Sequence, residues 1–300
     1  MLNPKSIAVV LLTSYPAWYS GRVKSVGDVD KIRGDLAIQM IRTGKVKGYR
    51  VIVGDWASSV EFIDRVDKIG KIILFKREHK GRDLGRRKVY LLAAGFKDTK
   101  IILKTEPEKV SIVEKFISQI ILPIINREAD IVIANRNPIL FRETYPGFMW
   151  KSEMAGNKVY INLLRRLCKL RQGQNFDIFF GPIAFRNHPR VLRLFLERYK
   201  YVSPTVVSTD RYGEPGELSN CYLFPIVKAL YQKIKVLGVE VNFRYPKSQK
   251  QNEEYIKNGS IGKFKKKRNG QYIAIIEDLK YFRSYLTKYS DNILNRIYGA

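Results

Sequence analysis

Two carboxylates separated by one proline, in Lys104-Thr105-Glu106-Pro107-Glu108-Lys109, are the sharpest chemical signal in the chain. Side chains two residues apart on a turn can point the same way, and paired hard oxygen donors suit Mg²⁺ or Mn²⁺ bridged to a diphosphate. The same residues also suit a solvated turn entering a helix, where Glu is favoured by the dipole and Pro by its fixed φ. A second cluster, Gly81-Arg82-Asp83-Leu84-Gly85-Arg86-Arg87, precedes a helical run ending in Ala93-Ala94-Gly95. Free N–H groups, the helix dipole and guanidinium forks all favour an anion there. Arg86 and Arg87 are therefore candidates for phosphate contact, with a basic solvated loop as the alternative. No Walker A pattern occurs. His79 and His188 are flanked by charged or turn residues and form neither a zinc pair nor a hydrolase triad.

Positioning these groups requires a scaffold, and the first half of the chain supplies one. Short apolar runs at residues 6–15, 49–55, 71–78, 100–106 and 129–136 alternate with helical patterns at 29–43, 58–68, 85–95 and 110–126, where Pro123 must end or kink the last helix. Continuous Ile, Val and Leu predict strands buried on both faces, hence an α/β protein with a mainly parallel sheet. Ligands in such sheets bind beyond the carboxyl ends of the strands, where both charged clusters fall. The second half is less regular. A polar and aromatic segment at 144–157 precedes a helix at 158–171, a strand-like run at 176–185, a helix at 189–199 and a loop at 203–220 rich in Ser, Gly, Pro and acids. Residues 223–236 read as a helix and 238–246 as a strand. A basic stretch with Lys263–Arg268 and an amphipathic helix at 272–289 close the chain.

In its order of elements and motifs, the chain over residues 6–249 resembles nucleotide-diphospho-sugar glycosyltransferases of the GT-A type, similar to family 2 and dolichyl-phosphate mannose synthase-like enzymes. The resemblance implies a Rossmann-like sheet flanked by helices with an acceptor-side α/β extension. It places a glycosyltransferase domain at 1–250, divided into a nucleotide-binding half at 1–136 and an acceptor half at 137–250, and a basic linker with a C-terminal helix at 251–300. The family's DXD motif follows the fourth strand and holds a metal. E-P-E stands there, so Glu106 and Glu108 are implied as metal ligands. Thr13, Ser14 and Tyr15 match the point where related enzymes cradle base and ribose, and Asp55 matches the Asp of a D-x-x-S turn that contacts the nucleoside. Tyr15 or Trp56 would stack on the base. Arg136 ends the fifth strand and, with Arg86 and Arg87, would face phosphates. Asp177, in a D-x-x-x-G segment ending at Gly181, would contact the donor sugar or an acceptor hydroxyl. The Glu-Asp base pair of many inverting relatives is missing. Glu217 is the candidate general base, with Asp210 and Glu214 as alternatives, unless a phosphate or carboxylate acceptor arrives already ionised.

The reading that follows is metal-dependent transfer of a sugar from a nucleotide-diphosphate donor to an unidentified, phosphate- or lipid-linked acceptor. A net charge of +27 predicts anionic partners and leaves open a basic nucleic-acid-binding protein, or peripheral docking on an anionic membrane through the basic tail. A sugar-1-phosphate nucleotidyltransferase ranks lower, because the first strand is followed by TSYPAWYSGR rather than by a glycine-rich G-x-G-T-R loop. Cys168 and Cys221 suggest no disulfide framework, which suits a reducing cytoplasm. No apolar stretch reaches the ~20 residues of a spanning helix.

Overall fold

Aliphatic runs that bury both faces of a strand produce β1 (Ile7–Thr13), β2 (Arg50–Asp55), β3 (Ile73–Lys76), β4 (Ile101–Lys104), β5 (Ile131–Arg136), β6 (Ile183–Arg186) and β7 (Val236–Val241). The computed structural model describes residues 3–70, 72–76, 82–168, 170, 173–199 and 223–255, with the side chains of 82–84 excepted. In it the strands form a seven-stranded sheet in the order β3-β2-β1-β4-β6-β5-β7. The pairs β1–β2, β2–β3, β1–β4 and β5–β7 are parallel, whereas β6 runs antiparallel to both β4 and β5. Register sets Thr13 beside Asp55, and Lys104 beside Ile183. The carboxyl ends of β1, β2 and β4 and the start of β6 therefore share one edge.

Helices α1 (Val29–Val46), α2 (Val60–Asp67), α3 (Arg82–Ala94), α4 (Ile117–Ile125), α5 (Pro138–Thr144), α6 (Gly147–Cys168), α7 (Pro189–Leu196), α8 (Phe224–Tyr231) and α9 (Lys247–Glu254) complete the described residues. Alternation along β1 divides the core. Ile7, Val9 and Leu11 pack with α1, α2 and α4, while Ala8 and Val10 face α3, α6, α7 and α8. Among the described residues no helix is long and apolar enough to cross a membrane.

Local chemistry explains most boundaries. Ser59 caps α2 by accepting from the Phe62 N–H at 3.2 Å, and His188 Nδ1 caps α7 by accepting from the Arg190 N–H at 3.3 Å. Pro123 lies inside α4, after a π-helical turn at Ile112–Phe116, and the helix ends two residues beyond it at Ile125. Three sequence expectations need correction. Residues 147–157 belong to α6, because that helix turns Glu153 and Asn157 inward and so disguises its apolar period. Of the strand-like run at 176–185 only the end joins the sheet, since Asp177 to Phe180 closes a turn and Gly181 has φ +98°. The helix expected at 223–236 stops at Tyr231, with Lys233 at φ 56°, and Val236 then begins β7. Glu217, Asp210, Glu214, His79, Cys221, the basic stretch Lys263–Arg268 and the expected final helix at 272–289 lie outside the described residues. The expected boundary at residue 250 falls inside α9, which packs on α1 through Arg33 and Glu253, 2.6 Å apart.

Candidate functional site

At the ends of β1 and β2 the polar side chains are tied to one another. Thr13 Oγ1 donates to Asp55 Oδ1 at 2.7 Å, the Ser58 N–H donates to Asp55 Oδ2 at 3.1 Å, and the Ser58 hydroxyl also donates to Asp55. The Tyr15 N–H in turn donates to Ser58 Oγ at 2.9 Å. With Thr13 and Asp55 both buried, this network sets the course of the loop after β1. Ser14 and Trp56 are exposed above it. The Tyr15 ring is buried edge-on against Phe62, with centroids 5.1 Å apart, whereas Trp56 is 38% exposed.

At the end of β4 the two glutamates diverge. Lys104 Nζ donates to Glu106 Oε1 at 2.7 Å and to the Gly181 carbonyl at 3.1 Å. Lys109 Nζ donates to Glu106 Oε2 at 2.8 Å and to the Phe180 carbonyl. Burial alone would raise the Glu106 pKa, but the two ammonium groups outweigh it and hold the carboxyl far below the usual range. Burial lowers the Lys104 pKa, Glu106 opposes that shift, and the nearby Arg86 guanidinium adds to it. A Cβ at Gly181 would lie 2.2 Å from Glu106 Oε1, so only glycine lets the carboxylate rest against this backbone. Glu108 instead accepts from the Tyr15 hydroxyl at 3.3 Å. It also faces Arg33, whose pKa burial would lower but Glu108 and Glu253 raise.

The metal pair read from the sequence does not fit a metal in this arrangement. Both Glu106 oxygens hold ammonium groups, and Glu108 is turned to different partners. Among the described residues no group of three or more His, Cys, Asp or Glu could hold an ion. At an effective dielectric of about 20, unit charges about 4 Å apart repel by about 4 kcal/mol, and a dication doubles that against each ammonium.

A third constellation lies at the end of β5. Arg136 donates through Nε to Asp177 Oδ2 at 2.6 Å, through a terminal nitrogen to Asp177 Oδ1 at 2.7 Å, and through the other to Glu153 Oε2 at 2.7 Å. Its guanidinium lies 3.5 Å from the Phe141 ring centroid. Asn157 Nδ2 donates to Asp177 Oδ1 at 2.6 Å. Burial would raise the Asp177 pKa, but the Arg136 charge and these hydrogen bonds hold it down. Burial opposes the Arg136 charge, yet its anionic partners raise its pKa. This buried cluster joins β5, α6 and the turn before β6.

No family model matches the chain, and no curated protein matches it. Solved structures do. Glucosyl-3-phosphoglycerate synthase of M. tuberculosis superposes over 92% of this chain and 81% of its own, with TM-score 0.52 and 11% identity. A structure described as a mycobacterial protein superposes over 92% and 75%, with TM-score 0.52 and 12% identity. The chain has a GT-A fold. A structure of the M. tuberculosis synthase with Mn²⁺, uridine diphosphate and phosphoglyceric acid superposes at TM-score 0.47 and 12% identity, covering 92% of this chain and 78% of its own.

On the GT-A sheet the predicted residues fall into separate groups. Thr13, Tyr15 and Asp55 belong to the β1–β2 network with Ser14 exposed beside it, while Arg86 on α3 stands near Lys104 at the end of β4, and Arg87, next to it on α3, is buried as well. Arg136 and Asp177 are joined to each other, and the Phe180 ring links them to the β4 group, lying 5.2 Å from the Arg136 guanidinium and 5.0 Å from Lys109 Nζ. Lys104, Lys109, Arg33, Glu153 and Asn157 were not singled out from the sequence. One signal was available for Lys104, since it ends β4 two residues before Glu106, a spacing that keeps both on one side while the backbone stays extended.

Proposed function

We propose that the protein is a glycosyltransferase taking its sugar from a nucleotide-diphosphate donor. The observation that carries this reading is the gathering of Arg86, Lys104 and Lys109 at the carboxyl edge of a GT-A sheet, beside the Thr13–Asp55 turn. Charge developing on a departing diphosphate is stabilised by cations already fixed in a low-dielectric site. Arg87, buried next to Arg86 on α3, is the second arginine of this helix assigned to the donor's phosphates. Asp55, held by Thr13 and Ser58, sets the loop that carries Ser14 toward the nucleoside, and Trp56 offers its exposed face to the base. Asp177 serves as a positioning residue, because its carboxylate is committed to Arg136 and Asn157. Glu217 is the proposed base for a hydroxyl acceptor, and an already ionised acceptor would need none. No step is assigned to a metal.

Calorimetric titration with UDP, GDP and their glucose and mannose conjugates tests the reading. One nucleoside diphosphate and its sugar conjugate should bind, and Arg86→Met, checked for folding by circular dichroism, should weaken that binding by about tenfold or more. Binding of polyanions alone, with no nucleotide recognised, would overturn it in favour of a nucleic-acid role.

A further inference from the structure

Where the sequence offers a metal-binding pair, the fold has built an ammonium–carboxylate–ammonium clamp. Lys104 and Lys109 approach Glu106 from opposite oxygens at 2.7 and 2.8 Å. Each also donates to a carbonyl of the turn before β6, Lys104 to Gly181 and Lys109 to Phe180. Lys109 lies 5.0 Å from the Phe180 ring centroid, which further restricts its position. The lysines are thus tied to the turn before β6, the strand paired with β4, by backbone oxygens as well as by Glu106. Gly181, with φ +98° and no room for a Cβ beside Glu106, is what allows this arrangement. Two ammonium groups share the Glu106 carboxylate, and Arg86 stands near Lys104, at the edge where the proposed function seats the donor.

We propose that Lys104 and Lys109 bind the donor's diphosphate directly, without a divalent cation, and that Glu106 is an internal counter-ion holding the two ammonium groups in place. The inference rests on the nucleotide-diphosphate reading above and specifies how that site takes its ligand. Phosphate oxygens meet fixed N–H donors of opposite charge, the arrangement in which charge-assisted hydrogen bonds are strongest. Glu106 then competes with the ligand for the same N–H groups. This reverses the sign of its mutation: neutralising a metal ligand destroys binding, whereas neutralising a competing counter-ion preserves or tightens it.

The full chain would be titrated with UDP and GDP in EDTA and again in Mn²⁺, and Mn²⁺ binding to the nucleotide-free protein would be followed by electron paramagnetic resonance. The expected result is that the recognised diphosphate binds in EDTA within about threefold of its affinity in Mn²⁺. Lys109→Gln should weaken that binding by about tenfold or more. Glu106→Gln should bind at least as tightly as wild type. Lys104→Met should behave like Lys109→Gln, and the more exposed Lys109 keeps the test open if the buried substitution fails to fold. Binding seen only with Mn²⁺ and lost in Glu106→Gln would overturn the clamp while leaving the glycosyltransferase reading intact. No binding of either diphosphate to folded protein in either buffer would overturn both.

Discussion

Four hydrogen bonds converge on the Asp177 carboxylate, three from Arg136 and one from Asn157. Removing one partner of a buried ion pair leaves the other charge uncompensated, so Asp177→Ala should cost about 3–5 kcal/mol in urea denaturation. A residue acting only on substrate would leave stability unchanged. The pH dependence has a definite sign. Because the folded pKa of Asp177 is depressed, its contribution is fully present above the ordinary carboxylate value of about 4 and is lost as pH falls toward the folded pKa. Glu106 titrates in the same direction. Acid denaturation should therefore begin below about pH 4, and Asp177→Asn should flatten the slope there. Cys168 gives a simpler test. Burial pushes its thiol up to about 11, and its Sγ lies 3.6 Å from the Val227 carbonyl. Iodoacetamide should leave the Cys168 peptide largely unmodified near neutral pH, with labelling rising toward pH 11 by mass spectrometry.

Between elements, the turn before β6 is the point where geometry is most tightly determined. Gly181 combines a positive φ with the Glu106 carboxylate in the place of a Cβ. Gly181→Ala should cost about 1–3 kcal/mol through backbone strain alone, and the displaced Glu106 should also release Lys104 and Lys109. Thermal unfolding and nucleotide titration on one sample separate these effects, because destabilisation with unchanged affinity would show that the turn does not organise the lysines. The contact of α9 with α1 is a second dependence of this kind. Glu253 is buried and holds Arg33 at 2.6 Å, while Asn252 Nδ2 donates to the Val26 carbonyl at 2.6 Å. Glu253→Ala should cost about 1.5–3 kcal/mol, and amide exchange in Lys247–Glu254 should accelerate more than in β1.

At the scale of the molecule, a net charge of +27 makes polyanion binding unavoidable at low salt and uninformative by itself. Binding that rests on surface lysines should weaken by about a thousandfold or more between about 50 and about 200 mM salt, whereas nucleotide binding at a built site should lose far less. Titration of a short single-stranded RNA and of the recognised diphosphate over this salt range tests the distinction. The βα alternation of the first half was readable because a doubly buried strand needs a continuous apolar run, and because α2 carries a Ser59 cap at its start. Placement of E-P-E at the end of β4 was readable for the same reason. The directions of its carboxylates were not, because Glu106 is oriented by a backbone 77 residues beyond Lys104, and local spacing holds no information about that approach. The inward turn of α6 was hidden likewise, since Glu153 and Asn157 look solvated until Arg136 and Asp177, 41 residues apart, meet beside them. Strand identity and sheet class follow from burial patterns within each segment. Which charges neutralise one another depends on which segments the sheet makes neighbours, and only the tertiary structure decided that.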